Sequence, residues 1–343
     1  MVDVNSLVRE NIRKLTPYSS ARDEFKGKEG IFMDANENPY GDLNRYPDPY
    51  QREMKAVISK IRNIDEEKIF FGNGSDEIID LCFRIFCNPG ADKALTFFPT
   101  YGMYEVSAFI NDVGVVKIPL NNSFQIDLKK VTPWFSEKSL KLIFICSPNN
   151  PTGNCMNSSD VESILSGFNG IVVIDEAYID FSDKPSFIKL VDKHPNLIVM
   201  QTFSKASGMA AVRVGMAFSN PVIIHYLNKV KPPYNISSVN QKAVLRMLIK
   251  NGENKEQILK IKNERDRLIS RLKKMKITEK VFPTDANFIL IKVRDANSIY
   301  NMLVNKNIIV RNRSSVVENC LRITVGKRTE NNKLVNALKL IME

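Results

Sequence analysis

A lysine placed just beyond an apolar strand is the group on which the chemistry of this sequence can turn. Residues 198–215 read IVMQTFSKASGMAAVRVG. Ile198 to Met200 has the character of a short buried strand, and Lys205 follows it among small, uncharged neighbours. Partial desolvation disfavours an ammonium, so a lysine in that setting is suited to act as an amine nucleophile. Arg213 follows within the same stretch. Its fixed charge and planar donor fork match a phosphate. A lysine and an arginine near a strand end are, by themselves, ordinary solvated surface groups. Whether these two do chemistry depends on what the rest of the chain brings to them.

Four other polar clusters follow apolar runs in the same way. Ile69-Phe70-Phe71 leads into Gly72-Asn73-Gly74-Ser75-Asp76-Glu77 and then a stretch of helical apolar spacing to Phe86. This reads as strand, glycine turn and helix, with Ser75 as N-cap, and a helix start of that kind offers free backbone N–H groups to an anion. It is neither a G-x-G-x-x-G nor a Walker loop, because Glu77 holds the last glycine position and no glycine-lysine pair follows. Ala94 to Phe98 ends in Pro99-Thr100-Tyr101-Gly102-Met103-Tyr104. Leu142 to Cys146 ends in Ser147-Pro148-Asn149-Asn150-Pro151-Thr152-Gly153, and Ile171 to Ile174 ends in Asp175-Glu176-Ala177-Tyr178.

The elements that must position these clusters alternate. Strands at 69–71, 94–98, 113–118, 142–146, 171–174 and 198–200 are separated by helical stretches such as Ser158 to Leu165. That pattern predicts an α/β fold with a mostly parallel sheet flanked by helices, and ligands in such sheets bind beyond the C-terminal strand ends, where all these clusters fall. After Pro232-Pro233 the character changes. A long helical region over 239–276, apolar runs at 288–293, 308–310 and 321–325, and two further helices predict a smaller α+β unit. The expected organisation is an N-terminal arm (1–35), a large domain (36–233) and a small C-terminal domain (234–343). Within the first of these, 5–20 reads as a helical or extended arm. Ile31 to Met33 is a short apolar run before the turn-rich loop 34–41, and a second turn at 45–49 leads into a helix over 50–61.

Together the clusters supply every group that one cofactor requires. Lys205 can form an imine with an aldehyde. Asp175, at the end of a buried strand, can keep a pyridine nitrogen protonated. Tyr178 and Asn150 can donate to a phenolic oxygen, Tyr101 can stack on an aromatic ring, and Ser75, Asp76, Ser204 and Arg213 can hold a phosphate. That set is the inventory of a pyridoxal 5′-phosphate site.

The sequence also resembles a known family, the fold-type-I PLP-dependent enzymes, and among them the histidinol-phosphate aminotransferases. The resemblance covers nearly the whole chain and is carried by LTPYSSAR (15–22), DANENPYG (34–41), RYPDP (45–49), GNGSDE (72–77), PTYGMY (99–104), SPNNPTGN (147–154), IDEAYIDF (174–181), TFSKASGMAAVRVG (202–215) and CLRITVG (320–326). It implies that Lys205 bonds the cofactor aldehyde and shuttles the reacting proton, that Asp175 pairs with the ring nitrogen, and that Asn150 and Tyr178 bind the phenolic oxygen. It implies that Tyr101 stacks on the ring and that Ser204, Arg213 and the backbone at Ser75 and Asp76 hold the phosphate. It further implies a homodimer with shared active sites, in which Tyr46 reaches the other subunit's cofactor phosphate. For substrate it implies Tyr18, Asn36, Arg311 and Arg322. The activity implied is ping-pong transfer of an amino group between L-histidinol phosphate and 2-oxoglutarate. An aminotransferase for aromatic amino acids and a phosphothreonine decarboxylase-like enzyme share the fold and cofactor groups. The chain departs from the family pattern in a short connection at Asp42-Leu43-Asn44, in Ala211 where glycine is common, and in a short loop between Arg311 and Arg322 that holds an additional arginine, Arg313.

Composition narrows the remaining classes. The 343 residues are 43% hydrophobic and 25% charged, ordinary for a globular chain with about two domains. No apolar run approaches the ~20 residues of a membrane span, and MVDVNSLVRENIRKL has no stretch of signal-peptide character, so a cytoplasmic protein is expected. The five cysteines form no C-x-x-C and read as reduced, mostly core residues. Two isolated histidines argue against a zinc site. The net charge of +11 is concentrated late, in KNGENKEQILKIKNERDRLISRLKKMK (250–276). There Ile258, Ile261, Leu268, Ile269 and Leu272 recur at helical spacing, so the segment reads as an amphipathic helix with a solvated basic face rather than a polyanion-binding surface.

Overall fold

The computed structural model describes residues 2–18 and 30–340. The second half of LTPYSSAR, and with it most of the N-terminal arm beyond Tyr18, lies outside the described residues. The seven-stranded sheet has the order β1-β7-β6-β5-β4-β2-β3. Its strands are β1 Ile69–Gly72, β2 Lys93–Phe98, β3 Gly114–Pro119, β4 Leu140–Cys146, β5 Ile171–Asp175, β6 Leu197–Thr202 and β7 Gly215–Ser219. Strands β2 to β6 pair in parallel, and β7 runs antiparallel between β1 and β6.

The central strands are mostly apolar on both faces because both faces of the sheet are covered. Alternation sends Ile143 and Ile145 of β4 to one core, with Met54 and Ile58 of the helix Arg52–Arg62 and Val161, Ile164 and Leu165 of the helix Ser158–Gly167. Leu142 and Phe144 go to the other, with Ile78, Ile79 and Phe83 of the helix Gly74–Phe86 and Ile223 and Leu227 of the helix Pro221–Val230. A third core lies under the four-stranded antiparallel sheet, ordered β10-β11-β9-β8. Its strands are β8 Thr278–Val281, β9 Phe288–Val293, β10 Arg311–Asn312 and β11 Cys320–Thr324.

Several local expectations need correcting. Ser75 is not the N-cap. The helix starts at Gly74, Asn73 precedes it, and the Glu77 carboxylate accepts the Asn73 N–H at 2.5 Å. That bond ties down the residue before the helix, and the Asn73 side chain makes no capping bond to the first turn. The helical region after Pro233 is two helices, Ser238–Ile249 and Asn251–Leu272. The first buries Val244 and Leu248 in the core beside β4, and the second buries Leu268 and Leu272 beneath the small sheet. The strand expected at 308–310 begins instead at Arg311. Ile31 and Met33 are exposed and belong to no strand.

The basic helix pairs several of its charges within the chain: Arg267 with Glu264 at 2.7 Å, Lys260 with Glu256 at 3.8 Å and Lys262 with Asp183. The five cysteines are free, and Cys82, Cys87, Cys146 and Cys320 are buried. Among the described residues no helix is long and apolar enough to cross a membrane, and no group of His, Cys, Asp and Glu side chains could hold a metal ion.

Candidate active site

A cavity of about 670 Å³ opens at the C-terminal ends of the parallel strands and extends to the small sheet. Ser75, Asp76, Tyr101, Asn150, Asp175, Tyr178, Ser204, Lys205, Arg213, Arg311 and Arg322 all line it. Tyr18, Asn36 and Tyr46 do not line it within one chain. Tyr18 is exposed, and the Tyr46 ring stacks on Tyr234 with centroids 4.4 Å apart, beside a second cavity of about 390 Å³. Asn36 takes a left-handed φ of 53°, and its neighbour Glu37 ties the two N-terminal loops together. The Glu37 carboxylate accepts the Tyr46 N–H at 2.6 Å and pairs with Arg45 at 2.6 Å.

Lys205 follows β6 directly, and its Nζ stands 5.7 Å from the centre of the Tyr178 ring. Packing around it, and then the positive charge of Arg322, holds its pKa below the ordinary lysine value. The free amine is therefore more accessible than on a solvated lysine. Its neighbour Ser204 is fixed by a backbone N–H donated to the Thr202 hydroxyl at 3.1 Å.

Asp175 ends β5 and is buried. Burial raises its pKa, and two donors oppose that shift: the Tyr104 hydroxyl at 2.7 Å and the Ala177 N–H at 3.0 Å. Among the described residues no cation forms an ion pair with it. A buried carboxylate that faces a cavity with donors but no paired cation fits a protonated ring nitrogen. Tyr104, from the helix Met103–Ile110, had no sequence signal for this role beyond its place in PTYGMY. It is fully buried, stacks on Phe144 at 4.9 Å and stands edge-on to Tyr101 at 5.6 Å. Next to Asp175, the Glu176 carboxylate turns the other way and braces the strand end. It accepts from Ser186 Oγ at 2.6 Å, the Phe187 N–H at 2.7 Å and Gln201 Nε2 at 2.8 Å, and burial pushes its pKa up to about 7.

The two asparagines of NNPTG divide their work. Asn149 is fully buried and holds the loop together, accepting from the Thr100 hydroxyl and donating to the Pro99 carbonyl, each at 2.9 Å. Asn150 faces the cavity, where its Nδ2 donates to the Tyr178 hydroxyl at 3.4 Å and its Oδ1 accepts from Arg322 Nη1.

The candidate phosphate cradle is a meeting of three chain segments. Arg213 adopts a left-handed φ of 52°, and its guanidinium reaches Asp76 at 3.1 Å and Ser204 Oγ at 3.4 Å. That places it over the helix start, where a Cβ built on Gly74 would stand 2.5 Å from Arg213 Nη2. A Cβ on Gly215 would meet the Ser75 nitrogen at 2.5 Å. The close approach of an arginine fork to the first turn of a helix, permitted by two glycines, is a setting for a phosphate.

The opposite wall comes from the small sheet. Arg311 and Arg322 are direct cross-strand partners, and Arg313 stands two residues along from Arg311. All three line the cavity. Like charges placed opposite one another destabilise a sheet, and among the described residues no carboxylate pairs with any of them. Arg322 also lies over the Phe288 ring at 5.2 Å, and Phe288 meets Tyr178 edge-on at 5.0 Å.

A lysine nucleophile, a buried carboxylate and a phosphate cradle at the strand ends of this fold define a PLP-dependent transferase. Residues 28–338 match the family model for aminotransferase class I and II, and the chain belongs to that family, whose cofactor is pyridoxal 5′-phosphate. Histidinol-phosphate aminotransferase of Bacteroides thetaiotaomicron is 52% identical over 343 residues, covering 99% of both chains, and that of Cytophaga hutchinsonii is 50% identical, covering 98% of both. Among solved structures, the histidinol-phosphate aminotransferase from Clostridium acetobutylicum superimposes with a TM-score of 0.80 at 26% identity, covering 87% of this chain and 91% of that one.

Proposed function

We propose that the protein transfers the amino group of L-histidinol phosphate to 2-oxoglutarate, as a step of histidine biosynthesis in the cytoplasm. The observation that carries this reading is the wall of Arg311, Arg313 and Arg322 facing Lys205 across the cavity, with no carboxylate partner among the described residues, in a chain half identical to relatives of that name. Both substrates are anions, and one arginine-lined wall can serve both in turn.

Pyridoxal 5′-phosphate, when bound, supplies an aldehyde for the amine and a ring that takes up the electrons released at the reacting carbon. The protein's own groups do the rest. Lys205 Nζ would hold the aldehyde, and as a free amine it would take up and carry the substrate's α-proton. Its depressed pKa favours the neutral form needed for that transfer. Asp175, oriented by Tyr104, keeps the ring nitrogen protonated. Asn150 and Tyr178 hold the phenolic oxygen, and Tyr101 stacks on the ring. Ser75, Asp76, Ser204 and Arg213 hold the phosphate. Arg311 and Arg322 orient the substrate anion, and Tyr18 and Asn36, which lie off the cavity of their own chain, complete the set proposed to contact substrate. Residues 36–233 form the cofactor-binding domain and 234–343 the small domain in this reading, with 1–35 as the arm.

Tyr46 serves the partner's site in a homodimer, which accounts for its position outside its own cavity. Mixing Tyr46→Phe and Lys205→Ala subunits is expected to restore activity through hybrid dimers. The decisive experiment is a donor panel of histidinol phosphate, phenylalanine and phosphothreonine with 2-oxoglutarate as acceptor. Histidinol phosphate should give the highest kcat/KM. Preference for phenylalanine, or carbon dioxide release from phosphothreonine, would replace the reading.

A further inference from the structure

The arginine between the two expected substrate arginines has a place of its own in the geometry. Arg313 is anchored from both sides. Its N–H donates to the Cys320 carbonyl at 2.9 Å, and its own carbonyl accepts from the Val316 and Val317 N–H groups at 2.8 Å each. Arg313 lies just past the end of β10, and it lines the same cavity wall as Arg311 and its cross-strand partner Arg322. The Arg313 Nε and the Arg322 Nε are buried and have no hydrogen-bond partner among the described residues. Arg322 has already committed one nitrogen to Asn150, and Arg313 forms no ion pair among the described residues. Burial and then the two neighbouring arginines depress the pKa of Arg313. A ligand with two negative charges relieves that repulsion more than a ligand with one.

A carboxylate has two oxygens and one charge, and a guanidinium fork engages both oxygens at once. A phosphate monoester presents three oxygens and, above its second pKa, close to two charges. We propose that Arg313 is a specificity-determining residue that reads the third oxygen and second charge of the donor's phosphate, while glutamate is held chiefly by Arg311 and Arg322. The proposal rests on the reading of the donor as a phosphorylated amino alcohol. It also gives the preference for that donor a pH dependence, rising as the phosphate loses its second proton near pH ~6.

The test measures the two half-reactions separately on cofactor-loaded protein. In Arg313→Gln, kcat/KM for histidinol phosphate should fall roughly 10- to 100-fold, the size of a lost charge-assisted hydrogen bond to an anion. The value for glutamate should fall only about 2- to 3-fold, through loss of general positive potential. Arg313→Lys should fall between wild type and Arg313→Gln. Inorganic phosphate should compete with the donor in wild type, with an inhibition constant about 10-fold weaker in Arg313→Gln. The rise in donor preference around pH ~6 should flatten in the variant. Equal losses in both half-reactions, or unaltered inhibition by inorganic phosphate in a folded variant, would overturn the assignment of Arg313. Wild-type protein that uses the unphosphorylated amino alcohol as well as its phosphate ester would overturn the functional reading instead. The two failures are separable, because inhibition by inorganic phosphate would still weaken in Arg313→Gln.

Discussion

The two sheets present opposite electrostatic situations to one cavity. On the seven-stranded side the charged groups already have polar partners: Asp175 takes the Tyr104 hydroxyl, and Arg213 bonds Asp76 and Ser204. On the four-stranded side three arginines share a wall with no carboxylate among the described residues to pair with them. In the proposed function, one side is built in advance for a resident cofactor whose shape never varies, and the other keeps unneutralised charge for anions that come and go in each half of the cycle. A permanent ligand rewards preorganisation, whereas an exchanging one rewards charge that is left for the ligand to neutralise.

The most severe way to break that contrast is at Lys205, which serves both sides. Lys205→Ala is expected to lower turnover by about 1000-fold or more in both half-reactions, since nucleophile and proton carrier vanish together. Borohydride treatment of the wild type should fix the cofactor onto this residue alone, and parent-level turnover by the variant would remove Lys205 from the chemistry.

On the arginine wall, Arg322→Ala should cost about 100-fold for histidinol phosphate and for glutamate alike, because the side chain faces the cavity and also holds Asn150. A loss confined to one substrate, seen in separate half-reaction kinetics, would mean that the wall is partitioned rather than shared.

The prebuilt side is probed by Tyr104→Phe, which keeps the ring against Phe144 and deletes only the donor to Asp175. Asp175, already raised by burial, should rise further. The cofactor should then bind about 10-fold more weakly in an absorbance titration, and the acid limb of the activity profile should move to higher pH. An unshifted limb with unchanged affinity would show that Tyr104 merely fills space.

The smallest effect is expected at Glu176. Its folded pKa of about 7 lies above the ordinary 4.5. The stability it contributes is complete below 4.5 and is lost as pH rises through 7. Glu176→Gln cannot ionise, so its melting temperature should gain on that of wild type between roughly pH 5 and 8. A gap independent of pH would show that the carboxylate does not titrate in that window.

The prebuilt side was also the more legible in sequence, for a physical reason. Its residues sit at strand ends, where an apolar run stopping at a polar cluster marks both the element and the site. Asp175, Asn150 and Lys205 are all placed that way. Tyr104 was not legible as Asp175's partner because it lies inside a helix far upstream, and only the stacking of its ring on Phe144 of β4 brings its hydroxyl to the carboxylate. The N-cap was misplaced because Ser75 has the right residue type, while the actual bond comes from a glutamate reaching backward to Asn73. The break between Ile249 and Asn251 was hidden because both helices carry compatible apolar spacing, although they face different cores. Of the arginine wall, Arg311 and Arg322 were legible through the family pattern, and the place of Arg313 required the register of a two-residue strand.

The antiparallel strand β7 has a consequence for how the protein comes to hold its cofactor. Because β7 runs against β1 and β6, the chain enters it at the edge where those strands leave, with Gly215 registered against both Gly72 and Thr202. The phosphate cradle therefore exists only when early and late parts of the chain have zipped together. A cofactor that recognises the cradle binds the finished sheet and shifts the equilibrium toward it by mass action. Its colour during refolding would then report when β7 has paired with both neighbours.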